Sequence, residues 1–309
     1  MSQQPIPTTM KALIQGKGTA TVQEIPIPQI NDDEILVKNV TVALNPTDVA
    51  HIESFGKPGT ICGVNFAGTI VRVGRNVTSI VIGNNVEGFV RGSYYTDEGA
   101  FAEYVKTSGH RFWTAVQTLF HPGHLGLVEP PEKISHEEWI FIYGGSSSVG
   151  MFAVELAHLA GYKVVSVASP RNFDLVKSYG ADAVFNYRDP EAISKIKAVT
   201  GDSIHKAVDA ISFDETSQIF SVKMFAPGPG KLITMRAPTQ AARDVRSDID
   251  LQGRPFDFFS THIPAAPEDR AHMVQFLKKV PGFVKDGKIK PNPVKLRPVN
   301  GLGAILDGI

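Results

Sequence analysis

The chain is poor in cysteine. Cys62 is the single one in 309 residues, which excludes an internal disulfide framework and fits a reducing compartment. The chain also lacks any excess of charge: 31 basic residues balance 31 acidic ones, so no long-range field is present to gather nucleic acid or an anionic membrane surface. No apolar run approaches the roughly 20 residues needed to cross a bilayer. Residues 1–9 are polar and proline-bearing, without the apolar core of a signal peptide. Internal repeats, low-complexity tracts and charge runs are absent, which leaves a pure interaction module without support. The cytosol is the expected compartment, and neither nucleic acid nor membrane is an expected partner.

What is present suits an ordinary enzyme. A hydrophobic content of 42% supplies normal cores, and the length suggests two domains at ~100–200 residues each. The most informative stretch is 139–161, where a short apolar run ending in Tyr143 meets Gly144-Gly145-Ser146-Ser147-Ser148-Val149-Gly150 and then a helical pattern with Phe152, Ala153, Leu156 and Ala157. A strand that turns sharply into a helix needs glycine and leaves unpaired helix N–H groups, which an anionic pyrophosphate satisfies. Gly144 and Gly145 make the turn, Ser146, Ser147 and Ser148 add hydroxyl donors beside Val149, and Gly150 lets the helix approach the strand. The competing reading is a turn that uses glycine for geometry and binds nothing.

The next segment bears on that choice. The β-branched run 163–168 reads as a central parallel strand and ends in Ser169-Pro170-Arg171-Asn172. A dinucleotide site specific for NAD places an acid here for the ribose 2′-hydroxyl, whereas an NADP site replaces it with cations and hydroxyls. No acid stands at this strand end. Ser169, Arg171 and Asn172 are suitable donors, and Tyr187, after a further strand at 183–186, is placed to lie against the adenosine. NADPH is therefore the expected cofactor. Ser169-Pro170 also reads as a cap for the following helix, and both readings can hold together.

Along the chain, 10–105 shows short strands (11–14, 21–25, 35–42, 68–73 and 84–90) separated by Gly, Pro and Asn clusters. From 113 to 259 strands alternate with helices, with later strands at 206–209 and 231–234, which argues a doubly wound parallel sheet. An amphipathic helix is expected at 269–279, and Phe256-Asp257-Phe258-Phe259 reads as a buried strand or interface segment.

Asn45-Pro46-Thr47-Asp48, Gly63-Val64-Asn65-Phe66-Ala67-Gly68-Thr69, Gly99-Ala100-Phe101-Ala102-Glu103-Tyr104 and the 144–150 loop together resemble the medium-chain dehydrogenases/reductases, nearly end to end. Tyr143-Gly144-Gly145-Ser146, the segment from Ser169 to Leu175 and Val208-Asp209-Ala210-Ile211 look like the fungal branch of trans-acting enoyl reductases that serve polyketide synthases. The resemblance implies an α/β architecture: a GroES-like β-rich catalytic domain, 1–112 completed by 262–309, and a Rossmann domain, 113–261. It also implies a polyketide synthase as partner and a monomer or homodimer. A short-chain dehydrogenase is excluded, because none of the seven tyrosines has a lysine four residues later.

Zinc members of that family carry Gly-His-Glu where this chain has Gly63-Val64-Asn65, and the structural four-cysteine lobe is missing. His51, Glu53, His121 and His124 remain, with the last two in an apparent loop, so no metal is expected. Without a Lewis acid the expected reaction is conjugate reduction of an activated C=C bond in an enoyl thioester, enone or quinone, with hydrogen-bond donors stabilising enolate charge. By the resemblance Thr114 faces the cofactor, holding either the developing oxyanion or the cofactor amide, and Asn45, Pro46, Thr47 and Asp48 position the nicotinamide ribose; an ordinary helix-capping threonine is the alternative for Thr114. The substrate pocket is expected near Tyr94-Tyr95 and 261–267. Departures from the pattern keep a catalytically weak or silent NADPH-binding protein, either a paralogue or a truncated gene product, as an alternative. Ala50 replaces a lysine, Asn65 an acid, and Ile82-Gly83-Asn84-Asn85-Val86 a charged turn. Phe112 runs directly into Trp113, where relatives have a helical stretch, and the chain ends at Gly308-Ile309, in a helix before their closing strand.

Overall fold

A computed structural model of the chain describes residues 5–32, 34–75, 77, 81–107, 114–213, 215–253, 271–272, 275–276, 278–290 and 301–306. Two compact units emerge: Met1–Arg111 with Lys295–Ile309, and Phe112–Val294.

In the first unit β1 (Thr9–Gln15) and β2 (Ala20–Pro26) form an antiparallel hairpin. β3 (Ile35–Ala43), β4 (Asn65–Val73), β5 (Asn85–Phe89) and β6 (Tyr104–Thr107) form an antiparallel sheet in the order β5-β4-β3-β6. β4 alternates as such a sheet demands, with Phe66, Gly68 and Ile70 buried. Leu13, Ile35, Val37, Phe66, Ile70, Phe101 and Val105 share one core. Between β3 and β4, Pro46 opens the short helix α1 (Pro46–Ala50), which continues into a π-helical turn at His51–Phe55.

The second unit is built on six parallel strands: β7 (Trp139–Tyr143), β8 (Lys163–Ala168), β9 (Ala183–Asn186), β10 (Lys206–Asp209), β11 (Gly230–Thr234) and β12 (Ile249–Gly253), in the order β12-β11-β10-β7-β8-β9. The side-chain period of two sends Ile140 and Ile142 to one core and Phe141 and Tyr143 to the other. Val164 and Val165 divide in the same way, as do Ile233 and Leu232. Helices cover both faces. α2 (Thr114–Phe120), α3 (Ser148–Leu159) and α4 (Phe173–Ser178) pack on the first core, and α5 (Ala192–Thr200), α6 (Glu215–Lys223) and α7 (Gln240–Val245) on the second. This is the doubly wound α/β sheet expected from the alternating pattern. The strand order reverses between β7 and β10, where such sheets open a ligand crevice at their carboxyl edge.

Strand β12 escaped the sequence reading because it is short and edge-placed, burying only Ile249 and Leu251 in alternation. The second unit also runs to Val294, past the boundary at 261 read from the sequence. Phe276 stacks on Phe120 at 5.6 Å, Phe283 of α8 (Val280–Lys285) joins the same core, and buried Glu155 accepts the Lys290 N–H at 2.9 Å. Apolar burial thus ties Phe276, Phe283 and Ile289 to the core of the parallel sheet. Of 269–279, the described residues 271, 272, 275 and 276 are helical, and the chain is helical again at α9 (Gly303–Leu306). Residues 256–259 and the junction at 112–113 lie outside the described residues.

Candidate functional site

At the carboxyl end of β7 the backbone turns at Gly144, whose φ of +76° favours glycine. Ser147 N–H donates to Gly144 O at 2.9 Å, and Ser147 then caps α3, its Oγ accepting the Gly150 N–H at 3.1 Å. A Cβ at position 145 would lie 2.2 Å from Ser166 Oγ, and one at 150 would lie 2.1 Å from Gly144 O. The two glycines therefore let helix and strand close to a distance that no side chain permits. The result is a twelve-residue helix whose N-terminus, the positive end of its dipole, lies just past the carboxyl end of β7. Ser146 and Val149 are half-buried and Ser148 is exposed. The Ser147 oxygen is engaged in the cap, which leaves its O–H as donor.

The neighbouring strand β8 ends at Ala168 and is followed by Ser169, which precedes a 3₁₀ turn at Pro170–Asn172. The helix-start reading holds in the backbone, since Asn172 N–H donates to Ser169 O at 2.8 Å, but the Ser169 side chain makes no capping bond. Arg171 is exposed, and its guanidinium has no ion pair among the described residues. Tyr187, one residue past β9, packs toward Tyr143 with ring centroids 6.2 Å apart. Arg188 lies over the Tyr187 ring at 4.7 Å, and its own N–H is held by Asn186 Oδ1 at 3.1 Å. The adjacent acid is engaged elsewhere: Asp189 pairs with Lys195 at 2.9 Å, and that bond holds its carboxyl below the usual range. The carboxyl edge of β8 and β9 thus presents two arginines and no unpaired neighbouring acid from this turn. Arg188 was missed from sequence, although Tyr-Arg directly after a strand was its signal.

In the first unit the 45–48 motif closes on itself. Asp48 is 1% exposed. Its Oδ2 accepts the Asn45 N–H at 2.8 Å and lies 3.2 Å from Asn45 Nδ2, which also donates to Asn65 Oδ1 at 2.9 Å. Burial raises the Asp48 carboxyl, against the opposing pull of the Asn45 donors. Asp48 is therefore placed to orient Asn45, while Pro46 and Thr47 are exposed. His51 sets its ring edge-on to Tyr94 at 5.4 Å, and burial lowers its pKa. Thr114 opens α2, but its side chain lies outside the description, as do 261–267. His121 and His124 fall in a loop, as read from sequence, with His121 Nδ1 accepting the Gly123 N–H at 3.1 Å. Among the described residues no three His, Cys, Asp or Glu side chains converge as a metal site, and no helix is long and apolar enough to cross a membrane.

Two family models match, an alcohol dehydrogenase GroES-like domain over residues 31–117 and a zinc-binding dehydrogenase over 148–261. The trans-enoyl reductase ACTTS2 of Alternaria alternata is 35% identical, covering 97% of this chain and 94% of its own length. A zinc-type alcohol dehydrogenase-like protein of Schizosaccharomyces pombe is 34% identical over 93% of this chain and 91% of its own. Among solved structures, the CurK enoyl reductase superposes with a TM-score of 0.73 at 17% identity, covering 98% of this chain and 96% of that one, a likeness of fold. The zinc named by one model does not fit the residues here. Val64 is apolar and 2% exposed, and Asn45 and Asn65 are neutral amides bonded to each other, so the thiolate, imidazole and carboxylate donors zinc requires are missing at these positions. With relatives above 30% identity along nearly its whole length, the chain belongs to the medium-chain dehydrogenase/reductase family of oxidoreductases, alongside the trans-enoyl reductases.

Proposed function

We propose that this chain is an NADPH-dependent, zinc-independent reductase of activated C=C bonds, acting on an enoyl thioester, enone or quinone. The observation that carries the reading is the pairing of the glycine cradle at 144–150 with an acid-free strand end at Ser169 and Arg171. When bound, the cofactor supplies a hydride from its reduced nicotinamide ring. The α3 N–H groups with Ser146, Ser147 and Ser148 hold its pyrophosphate. Ser169, Arg171, Asn172 and Arg188 receive the 2′-phosphate, with Tyr187 beside the adenosine. Asn45, braced by Asp48, positions the nicotinamide ribose together with Pro46 and Thr47.

The chemistry follows from the donors present. Direct carbonyl reduction calls for strong polarisation of the oxygen, whereas conjugate addition leaves enolate charge that hydrogen-bond donors stabilise. The Thr114 hydroxyl and nearby main-chain N–H groups are assigned to that oxygen, and water or a side chain protonates the α-carbon. The names of the trans-enoyl reductases support an enoyl substrate, and by the resemblance a polyketide synthase would present it as a thioester. The protein is expected as a cytosolic monomer or homodimer.

Steady-state oxidation of NADPH with a crotonyl thioester or a quinone tests this, alongside calorimetry with NADPH and NADH. Turnover with a preference for NADPH is expected, and Thr114→Val should lower kcat at unchanged NADPH affinity. Absence of any heat of association with NADPH would overturn the reading. Binding without turnover of either acceptor would leave a silent NADPH-binding protein, the reading that Ala50 favours.

A further inference from the structure

We infer that Asp209 is a positioning residue for the nicotinamide half of the dinucleotide, acting through the turn at 210–212 that it holds against the glycine loop. The inference rests on the dinucleotide reading above. Asp209 ends β10 at the point where the strand order reverses, and it is fully buried. Its Oδ1 accepts the N–H groups of Ile211 at 2.9 Å and Ser212 at 3.0 Å, and its Oδ2 accepts the Ser217 hydroxyl of α6 at 2.7 Å. Two of these bonds close the 210–212 turn, and the third ties Asp209 to α6. Ser212 adopts φ +49°, a region non-glycine residues occupy only when their surroundings impose it. The imposing contacts are visible: Ser212 Oγ donates to Asp209 O at 2.9 Å and accepts the Met235 N–H, one residue past β11, at 3.0 Å.

The consequence lies on the opposite wall. Ala210 N–H donates to Tyr143 O at 3.1 Å, and Ile211 is packed so closely that a Cβ on Gly144 would lie 2.5 Å from its Cγ1. The turn and the glycine loop therefore form two sides of one crevice, with Asp209 fixing the first side. In doubly wound sheets the two nucleotide halves lie on opposite sides of the central strand. Here β8 and β9 carry the adenosine side, and β10 with β11 the nicotinamide side.

Geometry also separates two substitutions. In Asp209→Asn the amide oxygen keeps both backbone bonds, and the new NH2 meets a Ser217 hydroxyl able to accept. Asp209→Ala removes all three acceptor contacts and releases the Ser212 backbone. Calorimetry on the full-length chain with NADPH and with adenosine 2′,5′-bisphosphate, which lacks the nicotinamide half, provides the test. Expected are a loss of NADPH affinity of tenfold or more in Asp209→Ala, adenosine 2′,5′-bisphosphate affinity within twofold of the parent, and recovery of NADPH affinity to within threefold in Asp209→Asn. Ile211→Ala, which keeps the Asp209 bonds and removes the wall, should reproduce the selective loss even if Asp209→Ala fails to fold. Equal losses for both ligands in Ile211→Ala, or NADPH affinity unchanged in it, would overturn the inference. Absence of binding of either ligand by the parent chain would instead overturn the dinucleotide reading.

Discussion

Gly150→Ala puts the cradle to a quantitative test. A Cβ at this position would sit 2.1 Å from Gly144 O, and real Cβ atoms essentially never come within 3.0 Å of another heavy atom, so roughly 1 Å of movement is forced. The obstacle is a backbone carbonyl, in a peptide that already adopts φ +76° at Gly144 and accepts the Ser147 N–H. It cannot rotate aside as a flexible side chain would. Overpacking of this kind costs about 1–3 kcal/mol, and displacement of the Gly150 N–H from Ser147 Oγ adds a capping loss of about 1 kcal/mol. Alanine returns about 1 kcal/mol of helix propensity. The net is a destabilisation of about 1–3 kcal/mol, read at about 2–4 °C of melting temperature per kcal/mol for a unit of this size. Because the movement displaces the α3 N–H groups themselves, NADPH affinity should fall by about tenfold or more, corresponding to 1.4 kcal/mol. The control is Gly282→Ala, where no heavy atom lies within 4 Å of the new Cβ and φ is not left-handed; it should be neutral, or stabilising by about 0.4–1 kcal/mol. Thermal melts with and without NADPH, together with fluorescence titration of NADPH, read both effects. A Gly150→Ala protein with parental melting temperature and dissociation constant would refute the close-approach argument.

Three other perturbations follow from the same structure. Arg171→Ala and Arg188→Ala should each weaken NADPH by about tenfold, the scale of a charge-assisted hydrogen bond at an exposed site, and leave NADH unchanged; parallel titrations at fixed salt check this, and an equal loss for both cofactors would contradict it. The Cys62 thiol is pushed up to about 11 by burial, so its thiolate fraction at pH 8 is about 0.1%; a thiol reagent should label the native chain slowly and the urea-unfolded chain rapidly, and rapid native labelling would refute the burial. Glu155, with an ordinary value of 4.5, is raised by burial, and Asp48 and Asp209, with ordinary values of 3.8, are raised in the same way. The folded chain thus holds these protons more tightly than the unfolded chain, and their contribution, full below the ordinary values, is lost as pH rises through the folded-state values. Glu155→Gln, which can still accept the Lys290 N–H, should flatten the fall of urea midpoint with rising pH above about 4.5, by at most about 1.4 kcal/mol per pH unit; an identical slope in the variant is the contrary result.

Local chemistry wrote much of this protein into its sequence. The run from Trp139 to Tyr143 is apolar on both faces and is followed by glycines and serines, so a buried parallel strand and a phosphate-type turn could be read without coordinates. The absence of an acid after Ala168, and of zinc donors at Val64 and Asn65, is equally a matter of residue identity. Contacts between distant segments were not legible in this way. The Asn45–Asn65 amide pair, the enclosure of Asp48, the packing of Phe276 and Phe283 into the core of the parallel sheet, and the grip of Asp209 on the turn facing Gly144 all join residues whose proximity depends on strand order and packing. Period and turn chemistry determine each element because they act over a few residues. Which elements become neighbours was decided only when the sheet assembled, since burial rewards any apolar face, and register and strand order select among them.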